Sequence, residues 1–198
     1  MRRFIVTLAV LAYSPAVLAN EAEADHGPER AEGSGFVKHS GYYIAPTAGV
    51  TTVDGEGTAE FGLRGAWLIN RRFGIGLGAV GWAKGAELGG RNVNGGYGGL
   101  MLQSVFASDS FLHATTQTLI GGGAYCMRTD SEGKNDCRSS YGFFTTDSTL
   151  NLEMNLAEDL RVTLGGGYRF ALAGDSSPIS SQDLRGFVAR TSFEFGQF

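Results

Sequence analysis

The last sixteen residues, Asp183 to Phe198 (DLRGFVARTSFEFGQF), restrict the possible folds more than any other stretch of the chain. Drawn as an extended strand, they place Arg185, Phe187, Ala189, Thr191, Phe193 and Phe195 on one face. Val188, Arg190, Ser192 and Glu194 fall on the other. Period-two alternation of this kind belongs to a strand with unlike surroundings on its two sides. Phe198 departs from the parity of Phe193 and Phe195, so the strand is expected to end at Phe195, with Gly196 to Phe198 turning away. A strand needs partners, and similar strands are therefore expected upstream.

Seven such segments precede it. Strands are predicted over 39–50, 56–69, 73–83, 92–106, 111–125, 141–155 and 160–172, with the eighth over 183–198. Three breaks are tight: Asn70 to Arg72, Ala107 to Ser110, and Leu156 to Asp159. Four are looser: Thr51 to Gly55, Lys84 to Arg91, Met127 to Ser140, and Ala173 to Gln182. Tight and loose breaks alternate, as in an even-stranded antiparallel barrel with short turns at one end and longer loops at the other. A sandwich with Greek-key crossings does not sort its turns in this way.

Side-chain parity supports the same architecture. In the second strand Ala59, Phe61, Leu63, Gly65 and Trp67 oppose Thr58, Glu60, Gly62 and Arg64. In the sixth, Phe144, Thr146, Ser148, Leu150, Leu152 and Met154 oppose Thr145, Asp147, Thr149, Asn151 and Glu153. A soluble barrel would put the apolar face inside, and periodicity alone does not separate the two arrangements. The polar faces are rich in Gly, Thr and Arg and poor in Lys, which suits a cramped interior rather than a solvated surface. The expectation is an all-β protein, an eight-stranded antiparallel up-and-down transmembrane β-barrel over residues 39–198. Aromatics near strand ends (Phe73, Phe106, Phe111, Tyr125, Tyr141, Phe143, Phe144, Tyr168, Phe170) read as interfacial girdles. Two strands fit less well. The third is so rich in Gly that its inner face is nearly bare, and Pro46 in the first removes a ladder hydrogen bond, implying a bulge or a strand end.

The chain opens with an export address. Arg2 and Arg3, the apolar run Phe4 to Ala12 and the small-residue site Val17-Leu18-Ala19 predict a signal peptide over 1–19. Residues 20–38 are acidic and without apolar period, and are expected to form a flexible tail. Gly makes up 31 of the 198 residues, a level that disfavours helices. The net charge of −4, with no basic block, leaves no electrostatic footprint for nucleic acid. Cys126 and Cys137, in an exported protein, are expected to form one disulfide. Closing that loop of about 12 residues stabilises by roughly 3 kcal/mol in the chain-entropy picture. The bridge either protects an exposed loop from proteolysis or shapes a contact surface.

By parity, Glu60, Asp147, Glu153 and Glu194 point inward together with Arg64, Arg161, Arg169 and Arg190. Eight strands enclose a space that side chains fill, so these charges must pair or stay uncompensated. One reading is a polar plug that fixes strand register; the other is a narrow pore for ions or small solutes. His113, Thr115 and Gln117 line the inner face of the fifth strand, where the histidine reads as a hydrogen-bonded filler without the further ligands of a metal site. Gly121-Gly122-Gly123 and Gly165-Gly166-Gly167 lack the Lys-Ser/Thr and the helix of a phosphate loop. Flat wall under a neighbouring ring is the better reading.

From His39 onward the chain resembles the small eight-stranded outer-membrane barrels of the OmpA/OmpX type. The resemblance rests on the aromatics Phe193, Phe195 and Phe198 and on the turn Leu156-Ala157-Glu158-Asp159-Leu160 feeding GGGYRF. It implies residence in a bacterial outer membrane with both termini in the periplasm, among outer-membrane lipids and lipopolysaccharide. It also implies that Phe193, Phe195 and Phe198 act as the signal read by the barrel-assembly machinery. No cofactor is implied, and any extracellular partner is unspecified. A peptidoglycan-binding domain does not follow the barrel, and the loops are short for a tall extracellular surface. Lipid A hydrolases of similar size carry a His/Ser/carboxylate group on the lipid-facing wall. The barrel histidines, His39 and His113, have no Ser and acid at matching outward positions. The expected role is therefore non-enzymatic, structural or in surface interaction, with a narrow pore and a lipid-modifying enzyme as the alternatives.

Overall fold

A computed structural model describes residues 39–88, 91–108, 110–127, 140–174 and 177–198. The expected leader, the acidic tail and Cys137 lie outside the described residues. Eight strands follow one another: β1 (Ser40–Val53), β2 (Glu56–Ile69), β3 (Phe73–Leu88), β4 (Arg91–Phe106), β5 (Leu112–Met127), β6 (Ser140–Asn155), β7 (Leu160–Ala173) and β8 (Gly186–Gln197). Each pairs antiparallel with its neighbour, and β8 pairs back onto β1 to close the barrel. No strand edge is left open, so every wall strand has a partner on both sides.

Parity then decides which way each side chain looks. Phe61, Leu63, Trp67, Leu77, Leu150, Leu164 and Phe187 stand on the exposed exterior, while Thr58, Glu60, Arg64, Thr145, Asp147 and Glu153 are buried inside. This barrel is polar within and apolar without. Water would solvate the wrong surface of such a molecule, whereas a bilayer matches it.

Several details differ from the expected layout. Pro46 interrupts nothing on the β2 side, where it lies opposite Leu63. On the β8 side the ladder skips Ala45 and Pro46 and resumes in the same register, so the missing donor costs a local gap without a bulge. The first loose break contracts to Asp54 and Gly55, whose φ values of 52° and 79° make a two-residue hairpin turn. Lys84 to Arg91 was expected to be a loop. There β3 and β4 instead keep pairing as far as Leu88 and Arg91, past an irregularity between Trp82 and Ala86. Break length therefore does not alternate along the chain. The turn end holds both ends of the barrel chain and the turns 70–72 and 156–159; the loop end holds the Asp54-Gly55 turn and residues 177–185.

The eighth strand does not stop at Phe195. It runs to Gln197, which pairs with Tyr42, and Phe198 turns into the lumen to stack on Tyr43, ring centroids 6.2 Å apart. The inner face of β3 is bare at the turn end, with Gly74, Gly76 and Gly78. Leu119 reaches across from β5 so closely that a Cβ on Gly78 would lie 2.6 Å from its tip. Toward the loop end, Val80 and Trp82 fill the same face.

Candidate functional site

The lumen holds the chemistry, and it is built in layers. Alternation on eight different strands sends one polar or charged side chain after another into a space without room for bulk water. In the upper middle layer Arg190, from β8, is the hub. Its guanidinium reaches Glu60 of β2 through Nε, and its Nη2 donates to Glu60 Oε2 at 3.2 Å, to Asp147 Oδ2 at 2.6 Å and to the Tyr97 hydroxyl at 2.7 Å. Tyr97 in turn donates to Asp147. Two carboxylates thus share one arginine, and the phenol completes the set.

One step toward the turn end, Arg64 of β2 reaches across to β8. Its Nη2 donates to Glu194 Oε1 at 2.7 Å and to Ser192 Oγ at 2.8 Å, while Nη1 bonds Gln117. Thr163 supplies a further bond to Glu194 Oε1 at 3.0 Å. Next comes Glu153 of β6, fully buried. It accepts from Thr115 Oγ1 at 2.7 Å and Gln103 Nε2 at 3.1 Å through one oxygen. Its other oxygen faces His113 Nε2 at 3.0 Å and Arg161 Nη1 at 3.9 Å. His113 Nδ1 lies 3.3 Å from the Ser110 carbonyl, so both ring nitrogens face oxygens. Arg161 also sits over Phe198, its guanidinium carbon 3.7 Å from the ring centroid.

Arg169 stands apart from the other seven. Its Nε donates to the Leu184 carbonyl at 2.9 Å and its Nη2 to the Thr52 carbonyl at 3.0 Å. The guanidinium carbon lies 5.1 Å from the Trp82 ring and 5.6 Å from that of Tyr97. It takes carbonyls and aromatic faces where the other arginines take carboxylates. The reason is the connection between β7 and β8, which folds over the loop end of the barrel. Ile179 and Leu184 are buried there in a cluster with Trp82, Tyr97, Tyr125 and Phe143. Tyr125 bonds Ser177 at 2.6 Å, and the Asp54 amide bonds the Asp183 carbonyl at 2.7 Å, tying the segment to two other parts of the rim.

This apolar cork was not expected from the sequence, and it corrects the reading of the aromatics. Tyr125 and Phe143 belong to the lumen, with Tyr141 packed against them, and not to an interfacial girdle. The Phe143 ring covers Gly123, where a Cβ would lie 2.5 Å from it. Phe193 and Phe195 stay on the exterior, apart from Phe198. Cys126 follows Tyr125 near the loop end of β5, on the outward parity of that strand, and its expected partner is outside the described residues.

Between the two charged layers a void of about 30 Å³ is bordered by Arg64, Gln117, Asp147 and Arg190. That is room for about two water molecules. Arg64 Nε, Gln117 Nε2 and Asp147 Oδ1 are buried polar atoms nearby with no protein partner, which suits hydration of this spot. Among the described residues no three His, Cys, Asp or Glu side chains gather as a metal cage.

Closed eight-strand topology, lipid-matched exterior and charged interior together define the relevant comparison. Neisserial surface protein A superposes with a TM-score of 0.60 at 9% identity, over 79% of this chain and 96% of that one. The chain has the fold of the small eight-stranded outer-membrane β-barrels. The N-terminal barrel domain of Pseudomonas aeruginosa OprF matches at a TM-score of 0.50 and 9% identity, covering 79% of this chain and 96% of that one. Yersinia pestis Ail, solved with the heparin analogue sucrose octasulfate, matches at 0.50 and 12%, covering 79% and 97%. No family model and no curated protein sequence matches the chain. At such identities the likeness is one of fold, and the barrel's role has to be argued from its own lumen and walls.

Proposed function

We propose that the protein is a non-enzymatic integral barrel of the bacterial outer membrane, termini in the periplasm, with a lumen closed by a polar charge network and a structural or surface-interaction role. The observation that carries this reading is the bridging of β2, β6 and β8 by Arg190, Glu60 and Asp147 across the full width of the lumen. A second bridge from Arg64 to Glu194 lies one layer below, and the cork of Ile179 and Leu184 one layer above. A solute would have to break charged contacts at both levels, and each buried pair that loses one partner costs several kcal/mol. The protein's outward role then falls to its loop-end surface, where the segment bracketed by Cys126 and Cys137 is proposed to be held by their disulfide. Phe193, Phe195 and Phe198 are proposed as the assembly signal.

Planar-bilayer recording of the purified, folded barrel tests this. The expected result is a membrane without resolved current steps. Sustained, ion-selective openings by the native sequence would instead establish a narrow pore. Lipid A recovered from cells lacking the protein is expected to keep its acylation pattern, and a changed pattern would replace the structural reading with a lipid-modifying one.

A further inference from the structure

The outer wall carries a shallow, open apolar groove. It runs over β1, β2 and β3 with a volume of about 580 Å³, rimmed by Tyr42, Ile44, Leu63, Trp67, Ile75 and Leu77. Its floor is Gly65, which lies opposite Ile44 on one side and Leu77 on the other. The four residues around it on that face, Ile44, Leu63, Trp67 and Leu77, are large and stand clear of the wall, Leu77 at 69% exposure and Trp67 at 60%. The missing side chain at Gly65 therefore leaves a pit between four apolar ridges.

The position of the groove is as informative as its shape. Tyr42 and Trp67 are direct cross-strand partners close to the turn end, where an aromatic pair sits at the height of lipid head groups. The strand that carries the pit, β2, is joined there to β3 by Asn70, Arg71 and Arg72, and both arginines are exposed. An apolar trough that opens beneath two aromatics and a cationic turn is complementary to one kind of molecule: an acyl chain below, an anionic phosphate above. The trough's lining is mostly apolar, so water gains little there. Neighbouring protein would have to place an apolar knob in the pit and an acid at the turn.

We propose that this groove is a binding site for a single glycerophospholipid of the leaflet at the turn end. One acyl chain lies over Gly65 between Ile44 and Leu77, and the phosphate is drawn by Arg72. The inference rests on the membrane-spanning reading given above. It adds a site that the closed lumen neither requires nor implies.

Native mass spectrometry of the refolded full barrel in detergent, titrated with palmitoyl-oleoyl phosphatidylglycerol, tests the proposal. One lipid per barrel is expected to survive at collision energies that strip the remainder. Gly65→Leu fills the pit, and Ala79→Leu fills the upper groove at a position that already has a Cβ. Each is expected to lower retention roughly tenfold, the scale of one or two methylenes losing their contacts. Arg72→Gln is expected to lower it about fivefold. Unchanged retention in all three variants would overturn the site. A dimer that disappears in Gly65→Leu, with no retained lipid, would assign the groove to a second copy and equally overturn it. A gel shift on boiling, followed in parallel for each variant, reports folding. Its absence in the native protein would instead strike at the membrane-barrel reading.

Discussion

The two halves of the lumen solve the same problem differently. Toward the turn end, buried arginines face carboxylates: Arg64 meets Glu194, Arg190 meets Glu60 and Asp147, and Arg161 approaches Glu153. At the loop end, Arg169 is buried more deeply still, yet it is held by the carbonyls of Leu184 and Thr52 and by the faces of Trp82 and Tyr97. Carboxylate pairing ties wall strand to wall strand. Carbonyl pairing ties a wall strand to a loop through Leu184, and to the loop-end tip of β1 through Thr52. The first arrangement fixes the barrel's circumference, and the second fastens its lid. An arginine's planar fork of donors permits both.

Substitutions that strip each arrangement should separate them. The largest effect is expected for Arg190→Ala, which leaves Glu60 and Asp147 buried without their shared cation. Resistance to urea in detergent should fall by about 3–5 kcal/mol. A loss under about 1 kcal/mol would mean that this layer does not hold the wall together. Arg169→Met keeps the stem packed on Trp82 and removes the two carbonyl bonds, so a smaller loss of about 1–3 kcal/mol is expected. Its signature should be local. Amides of the 177–185 segment should exchange faster while β2 and β8 keep their protection, and uniform acceleration would contradict a lid function. Least of all, Thr163→Val removes one hydrogen bond to Glu194 and should cost about 1 kcal/mol in the same unfolding assay.

Much of this comparison was legible in the sequence, and the part that was not has a physical cause. Parity gave the inward set, because a barrel wall in a bilayer must alternate: Glu60, Arg64, Asp147, Glu153, Arg161, Arg169, Arg190 and Glu194 all lie inside. Which charge meets which depends on strands far apart in sequence, and nothing local records that Arg190 bridges to Glu60. Strand ends were less legible for the opposite reason. Pairing resumes from Ala86 to Leu88 with Val93 to Arg91 beyond an irregularity after Trp82, because a backbone ladder does not need a continuous apolar pattern to go on. Asp54-Gly55 was legible as a hairpin signal, yet the break expected there was the looser one from Thr51 to Gly55, which the two-residue turn corrects.

The cork was hidden because Ile179 and Leu184 are isolated apolar residues in a polar segment, and their burial is decided entirely by the rim they fold against. Phe143 could have been placed by its strand. Phe144 faces out, so its neighbour faces in, and nearness to the strand end was the weaker guide. Phe198 followed the same rule: its parity opposes Phe195, and it enters the lumen beside Tyr43 and Arg161.

The claim that buried ion pairs organise the lumen is tested most directly by a double-mutant cycle on Arg64 and Glu194. Arg64→Met, Glu194→Met and the double variant would each be unfolded in urea in the same detergent. Either single change is expected to cost about 3–5 kcal/mol by stranding its partner, and the double variant should recover much of that loss, giving a coupling energy of at least about 1.5 kcal/mol. Additive losses, with no recovery in the double variant, would show that the two side chains are buried side by side without holding the barrel together.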